Sequence, residues 1–405
     1  MILDIVVPAL NEEKAIKSII ERCLAAKERI KTCAGIQDVT LTVVSDGSSD
    51  STEEIARSFE PEIRVVAYSR NRGYGAAIKA GFAEGTGELT AFIDADGTCD
   101  PAFFGLMVKT LLEKNADVCI GARLTPESHM PLIRRIGNIL WRTIINWMAQ
   151  AEITDAASGM RVIRRSALEL LAPLPDGLHY TPTMSCRAAL DARLSIVEIP
   201  MSYEERIGRS KLSVVVDGWR FLKTILDVGL TYQPFRLISI PGILMMAFAA
   251  LLFLPVTITW WEIRQIAEGD IYRILTGIVC SIAGFQLFLT GLASELAVEL
   301  VHPKKWAGGF FLRFLKKFFS DKLLFVAGSV LFCTALLLNA EGLGTYIAQG
   351  KVWQHWSRAA IGGLFVMLAA QCFATAFLER LLRLLTRLGR GQAWDTKEAT
   401  KNTRG

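Results

Sequence analysis

Up to about Gln233 the chain alternates short apolar runs with amphipathic stretches; beyond it come long runs without any charge. In the first part, Leu3–Pro8, Val39–Ser45, Ile63–Tyr68, Leu89–Asp94 and Asp117–Gly121 are short and apolar, the signature of buried strands. Between them, Glu12–Lys27, a segment opening at Ser51–Ser58, Tyr74–Glu84 and Pro101–Lys114 carry helical spacing or helix start signals. Strands alternating with helices predict right-handed crossovers and an α/β fold with a mostly parallel sheet covered on both faces. In such sheets ligands bind beyond the carboxyl ends of the strands.

The second part holds four uncharged runs, about 237–261, 274–294, 323–340 and 359–378. Each is long enough to cross a hydrocarbon core about 30 Å thick. The segment between the second and third runs carries six Lys and Arg, and the tail from Glu379 carries seven. The other two connections carry two each, which predicts both termini in the cytoplasm. The net charge of +5 then reports topology, and no nucleic-acid partner is needed to explain it. Asp4 and Pro8 interrupt the first apolar stretch, so no signal peptide is expected. The eight cysteines form no CxxC and predict reduced thiols.

Polar loops follow the first, second, third and fourth strands in turn: "PALNEE" (8–13), "SDGSSDST" (45–52), "SRNRGYGAA" (69–77) and "DADGTCDP" (94–101). All four fall on one sheet edge, the pattern of a binding site. The last crowds Asp94, Asp96 and Asp100 together. Such a group is either a solvated turn or a site for a hard divalent cation, which takes carboxylate oxygens. Asp100, just before Pro101, fits a helix cap better than a ligand. The glycines of 71–77 allow close approach to a phosphate, yet match neither a dinucleotide fingerprint nor a Walker loop.

Together with "DAASGMRVIRRSAL" (155–168) and "EERIGRSKLS" (204–213), these loops resemble, in order, the family 2 glycosyltransferases. Within that family the chain is similar to the polyprenyl-phosphate sugar synthases of the dolichyl-phosphate mannose synthase type. The resemblance implies a GT-A, Rossmann-like nucleotide-sugar domain, followed by interfacial amphipathic helices and about four transmembrane helices. It further implies transfer of a sugar from a GDP- or UDP-sugar to undecaprenyl or dolichyl phosphate, with inversion and with Mg²⁺ or Mn²⁺. By position, Pro8, Leu10 and Glu12 match the first nucleotide-contacting loop, and Val44 and Asp46 the second. Asp94, Ala95 and Asp96 match the metal-holding element, with Asp94 and Asp96 as ligands. Arg123 matches an arginine near the phosphates, and Arg206 and Lys211 match a loop closing over the site. Two positions depart from the pattern: Ser45 stands where an acid is usual, and Thr98 where some members supply a glutamine ligand.

The chemistry fits those assignments. A lipid phosphate is already ionised at pH 7, so it needs positive charge more than a base. Arg123, Arg134, Arg135 and Arg206 are the candidates to bind it, since guanidinium holds phosphate bidentately. Arg134 and Arg135 read equally well as a solvated helix face, and Asp155 either orients the acceptor or caps a loop. The expected organisation is a cytoplasmic catalytic domain over 1–210, an amphipathic juxtamembrane helix over 211–235 and a membrane domain over 236–380. The membrane domain includes a basic amphipathic segment at 301–322, and a basic cytoplasmic tail over 381–405 ends the chain. The implied location is the inner (plasma) membrane, where the apolar spans could pack against copies of the chain. Two other readings are weaker. A processive polysaccharide synthase carries a Q-x-x-R-W element, which "QPFR" (233–236) does not complete. A transporter with a nucleotide-sensing domain would place ionisable residues inside its spans, and the four runs have none.

Overall fold

A computed structural model describes the 405-residue chain except residues 124–131, 150, 205, 207–212, 267, 302–314, 316–318 and 403–405. At 134, 214–215, 268, 300–301 and 386–402 it describes the backbone alone. The chain divides into two compact units, Met1–Tyr232 and Gln233–Gly405.

The first unit is built on a seven-stranded sheet with strand order β3-β2-β1-β4-β6-β5-β7. The strands are β1 (Ile2–Ala9), β2 (Asp38–Asp46), β3 (Arg64–Tyr68), β4 (Leu89–Ile93), β5 (Val118–Ala122), β6 (Met160–Arg164) and β7 (Ile196–Pro200). All neighbours run parallel except β6, which lies antiparallel between β4 and β5. Every residue of β4 and β5 is buried, which is why both read as unbroken apolar runs.

Helices cover the two faces. On one, α1 (Ile16–Ala34) and α4 (Phe103–Glu113) press Ile16, Ile19, Phe104 and Met107 against Ile5, Val7 and Ala91. On the other, α3 (Tyr74–Glu84) and α7 (Tyr180–Leu190) bring Ile78, Phe82 and Met184 onto Val6, Phe92 and Ile120. The short helices α2 (Thr52–Arg57) and α6 (Leu168–Leu171) fill connections. The remaining two, α5 (Leu132–Ala149) and α8 (Val214–Tyr232), pack on α7 and on each other.

The helix α5 was not anticipated as an element of its own. It buries Asn138, Ile145 and Met148 while leaving Leu132, Ile133, Ile136, Leu140 and Trp147 exposed. The helix α8 is divided in the same way. Phe221, Ile225 and Val228 are buried, whereas Val216, Trp219 and Leu230 are exposed. Apolar residues on both sides of a helix are unusual against water.

The second unit contains four helices long and apolar enough to cross a membrane: Phe235–Ile263, Ile271–Glu299, Asp321–Gln349 and Trp356–Leu385. The first two cross closely, since a Cβ on Gly242 would stand 2.5 Å from the carbonyl oxygen of Gly284. Most of the basic segment expected at 301–322, including Trp306, Phe310, Phe311, Phe314 and Phe318, lies outside the described residues.

At the amino-terminal end of the sheet, buried Asp4 accepts hydrogen bonds from Thr40 Oγ1 (2.7 Å), the Gly87 amide (2.7 Å) and Arg165 Nη2 (2.8 Å). Asp4→Ala should strand these donors and cost about 2–3 kcal/mol. The check is thermal unfolding, and an unchanged midpoint would mean that the cluster braces nothing.

Candidate active site

The loops after β1, β2 and β4 meet at one cavity of about 700 Å³ within the first unit. Its polar end is lined by Pro8, Leu10, Glu12, Asp46, Asp94, Ala95 and Asp96, with Arg123 and Arg206 beside them. Its other end is apolar, lined by Ile133, Ile136, Leu140 and Trp141 of α5 and Phe221 of α8.

Burial first, and then the charge of Asp96, push the Asp94 carboxyl up to about 7. Its neighbours offset that crowding. Tyr74 Oη donates to Asp94 Oδ1 at 2.6 Å, and Thr98 Oγ1 donates to Asp96 Oδ1 at 2.7 Å. The guanidinium of Arg206 bridges Glu12 Oε1 at 3.1 Å and Asp96 Oδ2 at 3.2 Å. A positive group therefore already stands against Asp96. Glycine is required at 159, because a Cβ there would lie 1.8 Å from Asp94 Oδ2. Carboxylate oxygens suit hard divalent cations. Among the described residues no third His, Cys, Asp or Glu completes a ligand cluster. A cation here would fill its shell from water and a phosphate-bearing ligand. Asp100 takes no part, since its Oδ1 accepts the Ala102 amide at 3.0 Å where the chain enters α4.

Asp46 has both carboxylate oxygens engaged by backbone, Oδ1 by the Arg72 amide and Oδ2 by the Gly73 amide, each at 2.8 Å. It thereby fixes the glycine loop, in which Gly73 has φ +108°. Val44 is fully buried in the sheet and does not line the cavity. Arg135 is exposed on α5, the backbone of Arg134 lies in the same helix, and Lys211 lies outside the described residues.

Behind the site sits a buried ion pair. Arg123 donates Nε to Asp155 Oδ2 at 2.7 Å and Nη2 to Oδ1 at 3.0 Å. Asn138 of α5 donates to the same Oδ1 at 2.7 Å. Burial would raise the Asp155 carboxyl, but the Arg123 charge and these hydrogen bonds outweigh it and hold it below the ordinary range. A second guanidinium, Arg161 in β6, is wholly buried and donates to the carbonyls of Ser158 (3.1 Å) and Ala156 (3.0 Å). Its burial brings it down to about 10, so it stays charged at neutral pH. No periodicity marks Arg161 or Tyr74, and the sequence reading passed over both.

Residues 4–171 match the family described as Glycosyl transferase family 2. The chain is 31% identical over 306 residues to a low-salt glycan biosynthesis hexosyltransferase of Haloferax volcanii, covering 74% of this chain and 70% of that protein. It is 31% identical over 234 residues to a dolichyl-phosphate hexose transferase of the same organism, covering 56% of this chain and 94% of the relative. An undecaprenyl-phosphate 4-deoxy-4-formamido-L-arabinose transferase of Photorhabdus laumondii is 30% identical over 247 residues, 59% of this chain and 71% of that one.

The buried pair carries its own test. Asp155→Ala leaves Arg123 without its counter-charge and should destabilise the first unit by about 3–5 kcal/mol. Because the Asp155 carboxyl titrates lower folded than unfolded, its contribution is complete above the unfolded value of about 3.9. It is lost as pH falls through the lower folded value. Unfolding midpoints of wild type and variant should therefore converge in acid; a gap that persisted there would exclude the charge as its cause.

Proposed function

The chain belongs to glycosyltransferase family 2, and we propose that it moves a sugar from a nucleotide-sugar to a polyprenyl phosphate at a membrane surface. The observation that carries this reading is the two-ended cavity. One end offers loop backbone, and carboxylates that would hold a divalent cation, to a nucleotide diphosphate, the other offers α5 and α8 side chains to an apolar chain, and Arg123 and Arg206 line the polar part. Relatives named for dolichyl-phosphate and undecaprenyl-phosphate transfer support the acceptor class.

In this reading an oxygen of the lipid phosphate attacks the anomeric carbon. The bond from that carbon to the diphosphate breaks, and the nucleoside diphosphate leaves with the electron pair. Attack opposite the leaving group inverts the anomeric centre. No proton has to move, because the nucleophile is already an anion. Arg206, within reach of Glu12 and Asp96, brings a fixed positive charge to a site where two anions must approach. Arg123, locked by Asp155, supplies a second charge that needs no rearrangement. Asp94 and Asp96 would hold Mg²⁺ or Mn²⁺, which when bound neutralises charge developing on the departing diphosphate.

The apolar outer sides of α5 and α8 suit residence in the headgroup layer. Lipid delivery there avoids withdrawing the isoprenoid from the bilayer, which costs about 0.8 kcal/mol per CH₂ exposed. The Lys and Arg bias between the apolar runs supports a cytoplasmic catalytic unit and cytoplasmic termini at an inner (plasma) membrane.

The deciding experiment incubates the purified full-length protein in vesicles with labelled nucleotide-sugars and polyprenyl phosphate. Label should pass to the lipid, stop with EDTA and return with Mg²⁺ or Mn²⁺. Asp96→Ala should lower transfer by at least about a thousandfold while the unfolding midpoint stays near wild type. Label appearing in a growing polysaccharide instead of a monosaccharide lipid would reject the reading.

The interfacial role of α5 is tested separately. Leu132 and Ile139 are both exposed on α5, and Leu132→Asp with Ile139→Asp should reduce transfer to a long-chain acceptor in vesicles about tenfold. Transfer to a short-chain acceptor in detergent should stay within about twofold of wild type. Equal losses in the two assays would mean that these side chains serve the fold alone.

A further inference from the structure

We propose that Tyr74 is a positioning residue that holds Asp94 in the orientation from which it takes the divalent cation. The proposal rests on the metal reading of Asp94 and Asp96. Among the described residues Tyr74 is the one hydrogen-bond donor to Asp94, at 2.6 Å. On its other side the Asp94 carboxylate lies against Gly159, where a Cβ would stand 1.8 Å from Oδ2. The carboxylate is thus confined between a hydroxyl and a stretch of backbone. It keeps free lone pairs, since an ionised carboxylate offers about four acceptor sites.

The residue that carries the hydroxyl is held from several directions. Asp46 accepts the amides of Arg72 and Gly73, and the Gly75 amide donates to the Asp176 carbonyl at 2.6 Å. These bonds flank Tyr74 at the first turn of α3. Its ring meets Phe92 edge-on, with centroids 6.5 Å apart. Phe92 lies in β4, two residues before Asp94, opposite Arg161 of β6. The brace therefore joins three of the loops on one sheet edge: "SDG", "RGYG" and "DAD". Arg206 pairs directly with Asp96, whereas among the described residues the direct hydrogen-bond partner of the Asp94 carboxylate is this hydroxyl.

Hydrogen-bonding partners of metal ligands fix ligand orientation, and losing one commonly weakens metal binding 10–100-fold. Tyr74→Phe is the informative change, because it keeps the ring packed on Phe92 and removes one oxygen. Mn²⁺ binding to the full-length protein is measured by electron paramagnetic resonance of the free ion, with nucleoside diphosphate present. The proteins compared are wild type, Tyr74→Phe, Asp94→Ala and the double variant. The expected result is a Mn²⁺ dissociation constant raised about tenfold or more in Tyr74→Phe. Transfer at saturating Mn²⁺ should return to within a few-fold of wild type, and metal-free nucleotide binding should not change. In the Asp94→Ala background the tyrosine substitution should have no further effect on Mn²⁺ binding.

Equal Mn²⁺ affinity in wild type and Tyr74→Phe would overturn the proposal while leaving the metal reading intact. So would a Tyr74→Phe effect that persists at full size without Asp94. A wild-type protein that binds no Mn²⁺ would overturn the metal reading, and this proposal with it.

Discussion

Two carboxylates at the end of a buried strand set the terms for the rest of the first unit. Strand β4 is wholly buried, and Asp94 and Asp96 follow it directly; burial and the neighbouring charge of Asp96 both oppose ionisation of Asp94. The surroundings answer with a phenol on one acid, a threonine hydroxyl and an arginine on the other, and a residue without a side chain behind. Arg206 is central to that balance. It lies 194 positions from Glu12 in sequence, yet its guanidinium reaches both Glu12 and Asp96. The protein thus carries its own cation against an acidic pair suited to a divalent ion.

A second layer of charge lies deeper. Asp155 and Arg123 form a bidentate pair to which Asn138 also bonds, and Arg161 is enclosed among carbonyls. Pairs of this kind are seldom the best route to stability, because desolvation can exceed the attraction recovered. Their effect here is on geometry. Asp155 joins the β5 end to α5 through Arg123 and Asn138, so the helix that forms the apolar end of the cavity is tied to the strand that presents the arginine. The cost of burying these charges goes into alignment.

Much of this was legible in the chain, for identifiable reasons. Strands β1, β4 and β5 are buried on both faces, so they stand out as apolar runs. The loops that follow the strands carry Asp, Gly and Ser, which sets them apart from the apolar runs they end. The four long apolar helices declare themselves by length. Strand β6 gave no such signal. Its sequence, MRVIR, begins beside a buried arginine and runs against the sheet, so neither alternation nor an apolar run marks it. The helix α5 was obscured for the opposite reason, since apolar residues on both sides erase the contrast on which amphipathic patterning depends. Tyr74 and Arg206 owe their significance to partners far along the chain, and nothing within a few residues of either announces those partners. Asp46 is an intermediate case. Its position in "SDGSSD" marked it as part of the site, but only the fold reveals two backbone amides on its carboxylate.

The exposed side of α5 has a practical consequence. Leu132 is 72% accessible, Trp147 is exposed on the same helix, and Ile133, Ile136 and Leu140 stay exposed where they line the open apolar end of the cavity, with Trp219 at 69% on α8. Contiguous apolar surface of this kind drives soluble proteins to self-associate. Cutting the chain after Tyr232 therefore would not yield a water-soluble enzyme that has merely lost its anchor. It would yield a domain that still needs a lipid or detergent surface to remain dispersed, so a purification designed around a clean soluble fragment would select for aggregates.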